Sequence, residues 1–201
     1  VSPLLAGLAA LGVTIGYRFV VADQSKRLLR QSFALYLAPA VIEKMMASKR
    51  PPALGGEIRN VTVYFSDIAD FSTFAENIAP ADLVAAMNEY LTAMTDIIEA
   101  HGGFVDKYIG DAIVAVFGAP LDDPDHAANA VRAALRCAAR LSELDRVAAA
   151  FAGRTLRQRI GLNSGEALVG NIGSRRRFNY TVMGDTVNLA SRLEGANRFF
   201  G

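Results

Sequence analysis

The sequence predicts an α+β sandwich built on an antiparallel sheet. Strand-like and helical runs follow one another in the order β-α-β-β-α-β, and only two residues link the second and third strands. So short a link joins antiparallel neighbours, which argues against a doubly wound parallel sheet. The 201 residues, 52% of them hydrophobic, suffice for one domain with a full core and an appendage.

Charge and cysteine content exclude some classes of protein. The formal net charge is +1, so no basic footprint for nucleic acid is expected. The single cysteine, Cys137, excludes an intrachain disulfide and fits a reducing compartment.

The N-terminal part predicts a membrane anchor. Residues 1–21 are almost wholly apolar, with Arg18 the only charge, and are barely long enough for a transmembrane helix. Lys26, Arg27 and Arg30 follow, so the positive-inside rule places the remainder in the cytoplasm. A buried core helix or a signal peptide is the alternative, and the signal peptide fits poorly because no basic start or clear cleavage site is present.

Residues 22–56 predict juxtamembrane helices and a linker. The helical pattern breaks near Pro39, a second short helix follows, and Pro51-Pro52 and Gly55-Gly56 indicate a linker. This segment either couples an upstream sensor to the domain that follows, residues 57–201, or is a passive spacer.

The stretch VTVYFSDIADF, residues 61–71, predicts a buried strand that ends at Asp67. A carboxylate at the end of a buried strand requires a cation partner or a metal ion, because an unpaired buried charge is costly. The alternative is that Asp67 caps the next helix, a role for which Asp70 is the preferred candidate.

A second carboxylate is predicted at a hairpin tip. The strands 104–109 and 112–117 are linked by Gly110-Asp111, and glycine in the first position favours a type II′ turn. Asp67 and Asp111, on adjacent strand ends, predict a seat for a divalent cation such as magnesium.

The remaining elements are predicted from periodicity and from breaker residues. Helices are expected from Pro80 to about Ala100, over about 126–144, and over 186–200. Residues 158–170 predict two strands joined by Ser164-Gly165, and 180–183 a further strand.

Four segments carry a family resemblance: FSDIADFS, KYIGDAIVAVFGAP, RIGLNSGEALVGNIGS and NYTVMGDTVNLASRLE. In this order and spacing they resemble the catalytic domain of class III adenylate/guanylate cyclases, of the bacterial membrane-anchored adenylate cyclase type, over roughly residues 51–201. The resemblance implies a ferredoxin-like, palm-type fold. It also implies further strands and a phosphate-binding lysine after residue 201, so the chain is expected to be truncated at its C-terminus. The absence of a starting Met predicts that an upstream region is missing as well.

The resemblance assigns roles to residues of this chain. It implies that Asp67 and Asp111 bridge two divalent cations, Mg²⁺ or Mn²⁺, with the Ile68 carbonyl as a further ligand. It also implies that Arg159 binds the triphosphate.

Asn188 and Arg192 lie four residues apart and therefore on one face of a helix. The resemblance implies that Asn188 orients the ribose and that Arg192 stabilises the phosphoryl charge. A surface Asn and Arg on an amphipathic helix is the alternative.

Lys107 and Thr181 are implied to select the base. Lysine only donates hydrogen bonds and suits N1 of adenine, whereas a threonine hydroxyl can accept from the exocyclic amine. A hydroxyl also donates, so threonine is expected to discriminate less well than aspartate.

The implied function is an adenylate cyclase that converts ATP to 3′,5′-cyclic AMP and pyrophosphate at a homodimer interface, in signal transduction. One subunit is implied to give the two aspartates and the other Lys107, Thr181, Asn188 and Arg192. The alternatives are a guanylate cyclase, disfavoured by Lys107, and a catalytically inactive regulatory module of the same fold.

Overall fold

The computed structural model describes residues 41–44, 48, 53–144, 147 and 156–200, without the side chain of Phe74. The chain divides into two units, residues 1–47 and 48–201. Residues 41–44 of the first unit are helical, as predicted for the short linker helix. The transmembrane helix predicted over 1–21 lies outside the described residues, and no helix within them is long and apolar enough to cross a membrane.

One five-stranded antiparallel sheet forms the second unit's framework, in the order β2-β3-β1-β4-β5. The strands are β1 Gly55–Ile68, β2 Gly103–Ile109, β3 Ala112–Phe117, β4 Gln158–Gly173 and β5 Phe178–Met183. Strands β1 to β4 have the split β-α-β arrangement of a ferredoxin-like fold. The predicted α+β sandwich is therefore confirmed, with β5 as an additional edge strand.

Within the described residues, the sheet is accompanied by the helices α1 Phe71–Ala75, α2 Pro80–Ala100, α3 His126–Leu141 and α4 Asp185–Phe200. Helices α2 and α3 pack on one face, where the main core includes Tyr64, Tyr90, Met94, Phe117 and Cys137. Helix α4 packs on β4 and β1, on the opposite face of the sheet. The residues that it covers alternate along these strands with the residues that face the main core. Cys137 is fully buried, as expected for a small packing residue.

The prediction of two strands joined at Ser164-Gly165 is wrong, because β4 runs without interruption through both residues. Strand β1 is 14 residues long and pairs with β4 along its whole length, with Thr62 opposite Ser164 and Val61 opposite Gly165. The continuous partner strand holds Gly165 in the ladder, which overrides its local tendency to turn.

The start of the domain also differs from the prediction. Gly55 and Gly56, predicted as linker, are the first residues of β1 and pair with Asn171 and Gly170. The predicted hairpin is confirmed: Ile109 pairs with Ala112 across the turn. Gly110 has a φ of 66° and Asp111 a negative φ, as a type II′ turn requires.

The sheet curls so that its two edge strands meet. In a flat sheet β2 and β5 would lie roughly 19 Å apart, four strand spacings. Instead, the rings of Phe104 on β2 and Tyr180 on β5 have centroids 5.8 Å apart. The curl brings residues from distant parts of the sequence to one place.

The packing of α4 depends on Gly161. A Cβ at this position would lie 2.2 Å from the carbonyl oxygen of Ala190 and 2.3 Å from the backbone nitrogen of Glu194. Both atoms belong to the α4 backbone, which cannot move aside as a flexible side chain could.

We therefore expect Gly161→Ala to lower the free energy of unfolding by about 2–3 kcal/mol, through overpacking of the α4–β4 contact. Urea unfolding measures this change. Gly195→Ala on α4 is the matched control, because a Cβ there meets nothing within 4 Å. It should raise stability by about 0.5–1 kcal/mol, since alanine favours helix more than glycine does. Equal effects of the two substitutions would contradict the close-packing account.

Candidate active site

Asp67 and Asp111 come together because of the register between β1 and β3. Ser66 pairs with Ile113, so continuing the ladder by two residues sets Ile68 beside Asp111. Accordingly, the Ile68 backbone N–H donates to Asp111 Oδ2 at 3.0 Å. The carboxyl groups of Asp67 and Asp111 lie close enough for each to influence the ionisation of the other.

The contact between the two carboxyl groups separates their pKa values. Burial, reinforced by the hydrogen bond to Asp67 and by its charge, raises the pKa of Asp111 to about 7. Burial also acts to raise the pKa of Asp67, but hydrogen bonds from Asp111 and Arg159 outweigh it and lower the value. Below neutral pH the pair therefore holds one proton between two carboxyl groups, and this proton is lost as the pH rises through about 7.

This donor set fits a divalent cation. Two carboxylates that cannot both ionise freely are stabilised when a cation replaces the shared proton. Mg²⁺ typically takes one or two carboxylates and completes its shell with water and substrate phosphates. In the described ranges, no group of three or more His, Cys, Asp or Glu side chains is placed to hold a metal ion.

Arg159 links the acidic pair to helix α4. It lies opposite Asp67 in the β1–β4 register, and its Nη2 donates to Asp67 Oδ2 at 2.6 Å. Its Nε lies 3.1 Å from Glu194 Oε1 on α4. The guanidinium is thus engaged by two carboxylates in this state, while its role as a triphosphate ligand stays a prediction.

A cleft of about 830 Å³ opens beside the acidic pair. Its lining includes Asp67, Asp111 and Arg159, together with Arg157 and Arg198. Arg157 and Arg198 are exposed, so two further positive groups border the cleft. A polyanion that approaches the acidic pair would meet these charges first.

The helix-capping alternative for this loop is wrong. Asp67 hydrogen-bonds Arg159 rather than a helix N–H. The Asp70 carbonyl, not its carboxylate, accepts from the Thr73 N–H at 3.1 Å. Asp70 has a φ of 59°, in the left-handed region that Asp tolerates better than most residues.

A second cluster lies where the sheet edges meet. Lys107 Nζ on β2 donates to Thr181 Oγ1 on β5 at 3.2 Å, so the structure brings the two predicted base-selecting residues into contact. Thr181 Oγ1 in turn donates to Asp106 Oδ2 at 2.7 Å. Lys107 Nζ is also 3.2 Å from Asp106 Oδ2. Lys107 is 47% exposed, whereas the Asp106 side chain is only 2% exposed.

A β-bulge explains how Asp106 and Lys107 share this cluster. Val105 pairs with Ala115 and Lys107 with Val114, so Asp106 is an extra residue in β2. Successive residues of a regular strand point to opposite faces, and a bulge re-aims them.

Asn188 and Arg192 are exposed on α4, on one face of the helix as predicted. Neither lines the cleft beside Asp67. Leu189 and Leu193, also on α4, are 42% and 41% exposed, so apolar surface adjoins them. A single chain therefore does not bring Arg192 to the acidic pair, and the roles of both residues stay predictions.

Sequence reasoning missed Asp106, Glu194, Arg157 and Arg198. The signal that could have pointed to Asp106 is an acidic residue inside an otherwise apolar strand, next to a lysine of assigned role. Glu194 has no comparable signal, because a glutamate on an amphipathic helix is ordinary.

Comparisons with known proteins agree with this geometry. Residues 55–198 match the family described as the adenylate and guanylate cyclase catalytic domain. Adenylate cyclase 1 of Rhizobium meliloti is 37% identical over 170 residues, which are 85% of this chain and 26% of that protein. The chain thus spans about a quarter of that relative's length.

Solved structures of both substrate types are similar. The adenylyl cyclase CyaB from P. aeruginosa superposes with a TM-score of 0.66 at 36% identity, covering 71% of this chain and 74% of that chain. The guanylyl cyclase Cya2 gives a TM-score of 0.66 at 37% identity, covering 71% and 72%. Fold and site together define a nucleotide cyclase domain. The chain belongs to the adenylate and guanylate cyclase catalytic-domain family.

Proposed function

We propose that this domain is an adenylate cyclase that converts ATP to 3′,5′-cyclic AMP and pyrophosphate. The observation that carries the choice of base is the contact of Lys107 Nζ with Thr181 Oγ1. The lysine can only donate, which suits the N1 acceptor of adenine and opposes the N1–H of guanine. The threonine oxygen can accept from the adenine amine.

The reaction requires attack of the ribose 3′ oxygen on the α-phosphorus. The new bond forms as the bond from the α-phosphorus to the bridging oxygen breaks and pyrophosphate leaves. Divalent cations, when bound, lower the pKa of the attacking hydroxyl and neutralise phosphate charge. The acidic pair Asp67 and Asp111 would hold these cations, and Arg157 and Arg198 at the cleft would attract the triphosphate.

We propose further that the site is completed by a second copy of the chain. The exposure of Asn188 and Arg192, away from the acidic cleft, supports this arrangement. In it, Arg192 of one subunit stabilises the charge that develops on the α-phosphoryl group beside the acidic pair of the other subunit. Asn188 orients the ribose. The exposed apolar groups of Leu189 and Leu193 suit a protein interface.

A guanylate cyclase is the second candidate, because Cya2 is as similar to this chain as CyaB is. Overall likeness does not choose between the bases, whereas the residues that face the base do. Guanine presents N1–H as a donor, and a lysine beside it leaves both donors unpaired, which is costly in a closed site.

The localisation rests on sequence alone. The apolar run 1–21 and the basic residues that follow it support a cell-membrane anchor with the catalytic domain in the cytoplasm. Fractionation of cells that express the protein with and without residues 1–21 tests this, and equal recovery in the soluble fraction would refute the anchor.

The experiment that tests the proposed function is turnover of ATP and GTP by the full-length protein and by Lys107→Glu. Wild type should prefer ATP, and Lys107→Glu should cut ATP turnover by about one to two orders of magnitude, since one polar contact becomes repulsive. Good GTP turnover is not expected to appear, because the new carboxylate would lie beside buried Asp106.

Lys107→Met is the matched control, because it removes the donor without adding a negative charge. It should lower ATP turnover less than Lys107→Glu does. A wild-type enzyme that forms cyclic GMP as readily as cyclic AMP would reduce the assignment to nucleotide cyclase.

A further inference from the structure

The Thr181 hydroxyl has less freedom than its chemistry suggests. A free hydroxyl carries one hydrogen and two lone pairs and can turn either toward a ligand. Such a group would accept from the amine of adenine and donate equally well to the carbonyl oxygen of guanine. By itself, such a hydroxyl would discriminate poorly between the amine of adenine and the carbonyl oxygen of guanine at position 6.

Two neighbours in this structure restrict the hydroxyl. Lys107 Nζ, 3.2 Å away, can only donate, so it occupies a lone pair of Thr181 Oγ1. The Asp106 carboxylate, 2.7 Å away, can only accept, so it takes the single hydroxyl hydrogen. One lone pair of the threonine oxygen remains.

Asp106 is suited to hold that hydrogen permanently. Its side chain is 2% exposed, so water does not compete effectively for it. The Lys107 ammonium at 3.2 Å favours its charged form. Burial raises the pKa of Asp106, while the Thr181 and Lys107 contacts act in the opposite direction. Asp106 Oδ1 has no hydrogen-bond partner in the part of the chain that is described. The contacts of this carboxylate with Thr181 and Lys107 are therefore both made through Oδ2.

We propose that Asp106 is a specificity-positioning residue that makes Thr181 an acceptor-only group facing position 6 of the base. The bulge at Asp106 is the structural device that turns this side chain under Thr181, beside Lys107. The pair Asp106–Thr181 thereby presents only a hydrogen-bond acceptor to position 6 of a purine. A carboxylate at this position would do the same, but it would place a second charge at the base. This inference rests on the proposed adenylate cyclase function.

The test is the effect of Asp106→Asn on three substrates: ATP, inosine triphosphate and purine riboside triphosphate. An asparagine amide can donate to Thr181, which frees the hydroxyl hydrogen for the ligand. We expect kcat/KM to fall about threefold to tenfold for ATP and to rise for inosine triphosphate, whose position 6 is an acceptor. Purine riboside triphosphate has no group at position 6 and should change least.

If Asp106 had a merely structural role, its substitution would not change kcat/KM for ATP and for inosine triphosphate in opposite directions. If all three substrates lose activity in proportion, Asp106 only supports the fold and the proposal is overturned. Asp106→Asn also removes the ion-pair partner of Lys107. Purine riboside triphosphate has the same N1 acceptor as ATP, so a change in its turnover measures any altered effect of Lys107 on N1.

Thr181→Val is a second variant of nearly the same shape, which guards against failure of Asp106→Asn to fold. An acceptor-only Thr181 repels the oxygen of inosine triphosphate, so its removal should leave turnover of that substrate unchanged or raise it, while ATP turnover falls. A freely rotating hydroxyl would instead lose a hydrogen bond to both substrates, and a fall in both would overturn the proposal. In the Thr181→Val background, Asp106→Asn should change the ratio of the two substrates no further.

These measurements distinguish a failure of the proposed adenylate cyclase function from a failure of the proposed role of Asp106. Equal use of ATP and GTP by wild type would refute the proposed function. A wild type that prefers ATP, with an unchanged ATP-to-inosine triphosphate ratio in Asp106→Asn, would refute only the role of Asp106.

Discussion

Asp111→Asn should lower cyclic-nucleotide formation by about three orders of magnitude or more while leaving the domain folded. The amide keeps the shape of the carboxyl group at the hairpin tip but removes half of the charge that would hold the cations. Metal-ion catalysis contributes several kcal/mol to such reactions, and about 1.4 kcal/mol corresponds to a factor of ten. Turnover at saturating Mg²⁺ or Mn²⁺ measures the loss.

The same substitution should stabilise the metal-free domain. In the folded state Asp111 has a pKa of about 7, above the usual value of 3.8. Its contribution to stability is therefore fully present below about pH 4 and is lost as the pH rises toward 7. The lowered pKa of Asp67 acts in the opposite direction, but in a window below its usual 3.8.

With chelator present, the free energy of unfolding of wild type should thus fall between pH 4 and pH 7, by about 1–2 kcal/mol after allowing for the half-exposed position of Asp111. Asp111→Asn should remove this slope. Asp70→Asn is the matched control: Asp70 is exposed, and asparagine tolerates its positive φ. It should keep both the slope and near-normal turnover. Near-normal turnover in Asp111→Asn would remove this residue from the metal site.

Mixing two inactive variants should restore activity. Asp67→Ala removes one member of the acidic pair, and Arg192→Ala removes the cation proposed to act from the other subunit. Each variant alone should lose about 10²–10³ in turnover or more. Random exchange of subunits makes half of the dimers mixed, and each mixed dimer keeps one intact site of two. About a quarter of wild-type activity is therefore expected.

A mixture of Asp67→Ala with Asp111→Ala is the matched control. Both substitutions lie in the same half of the site, so no mixed dimer has an intact site and no activity should return. If the Asp67→Ala and Arg192→Ala chains demonstrably form mixed dimers without regaining turnover, the shared-site arrangement is wrong. Recovery in the control mixture would contradict the assignment of both aspartates to one subunit.

The position of Arg159 was predictable from the family resemblance, whereas its ion pair was not. Its position on β4 is consistent with a place near the substrate, because it lies beside Asp67 at the cleft. The sequence offered no indication of its ion pair with Glu194, which lies 35 positions further along the chain on α4. Only the packing of α4 on β4 brings these two groups together.

Local sequence determined those features that depend on neighbouring residues. The apolar run before Asp67 predicted a strand end, and β1 ends at Ile68. The Gly110-Asp111 link predicted a hairpin tip, and it joins β2 to β3. These predictions succeeded because strand propensity and turn chemistry act over a few residues. Bringing Asp67 and Asp111 together also requires β1 to pair with β3, a long-range contact that these local signals do not specify.

Tertiary structure alone decided the features that depend on long-range pairing. Ser164-Gly165 has the composition of a turn, yet 14 residues of β1 hold it in the middle of β4. The curl of the sheet brings β2 to β5, and the bulge turns Asp106 beneath Thr181, 75 positions away in sequence. Neither the curl nor the bulge has a local signature, because each results from the summed twist and packing of the whole sheet. The hydrogen-bonding character of Thr181, which residue type leaves open, is therefore set by the fold.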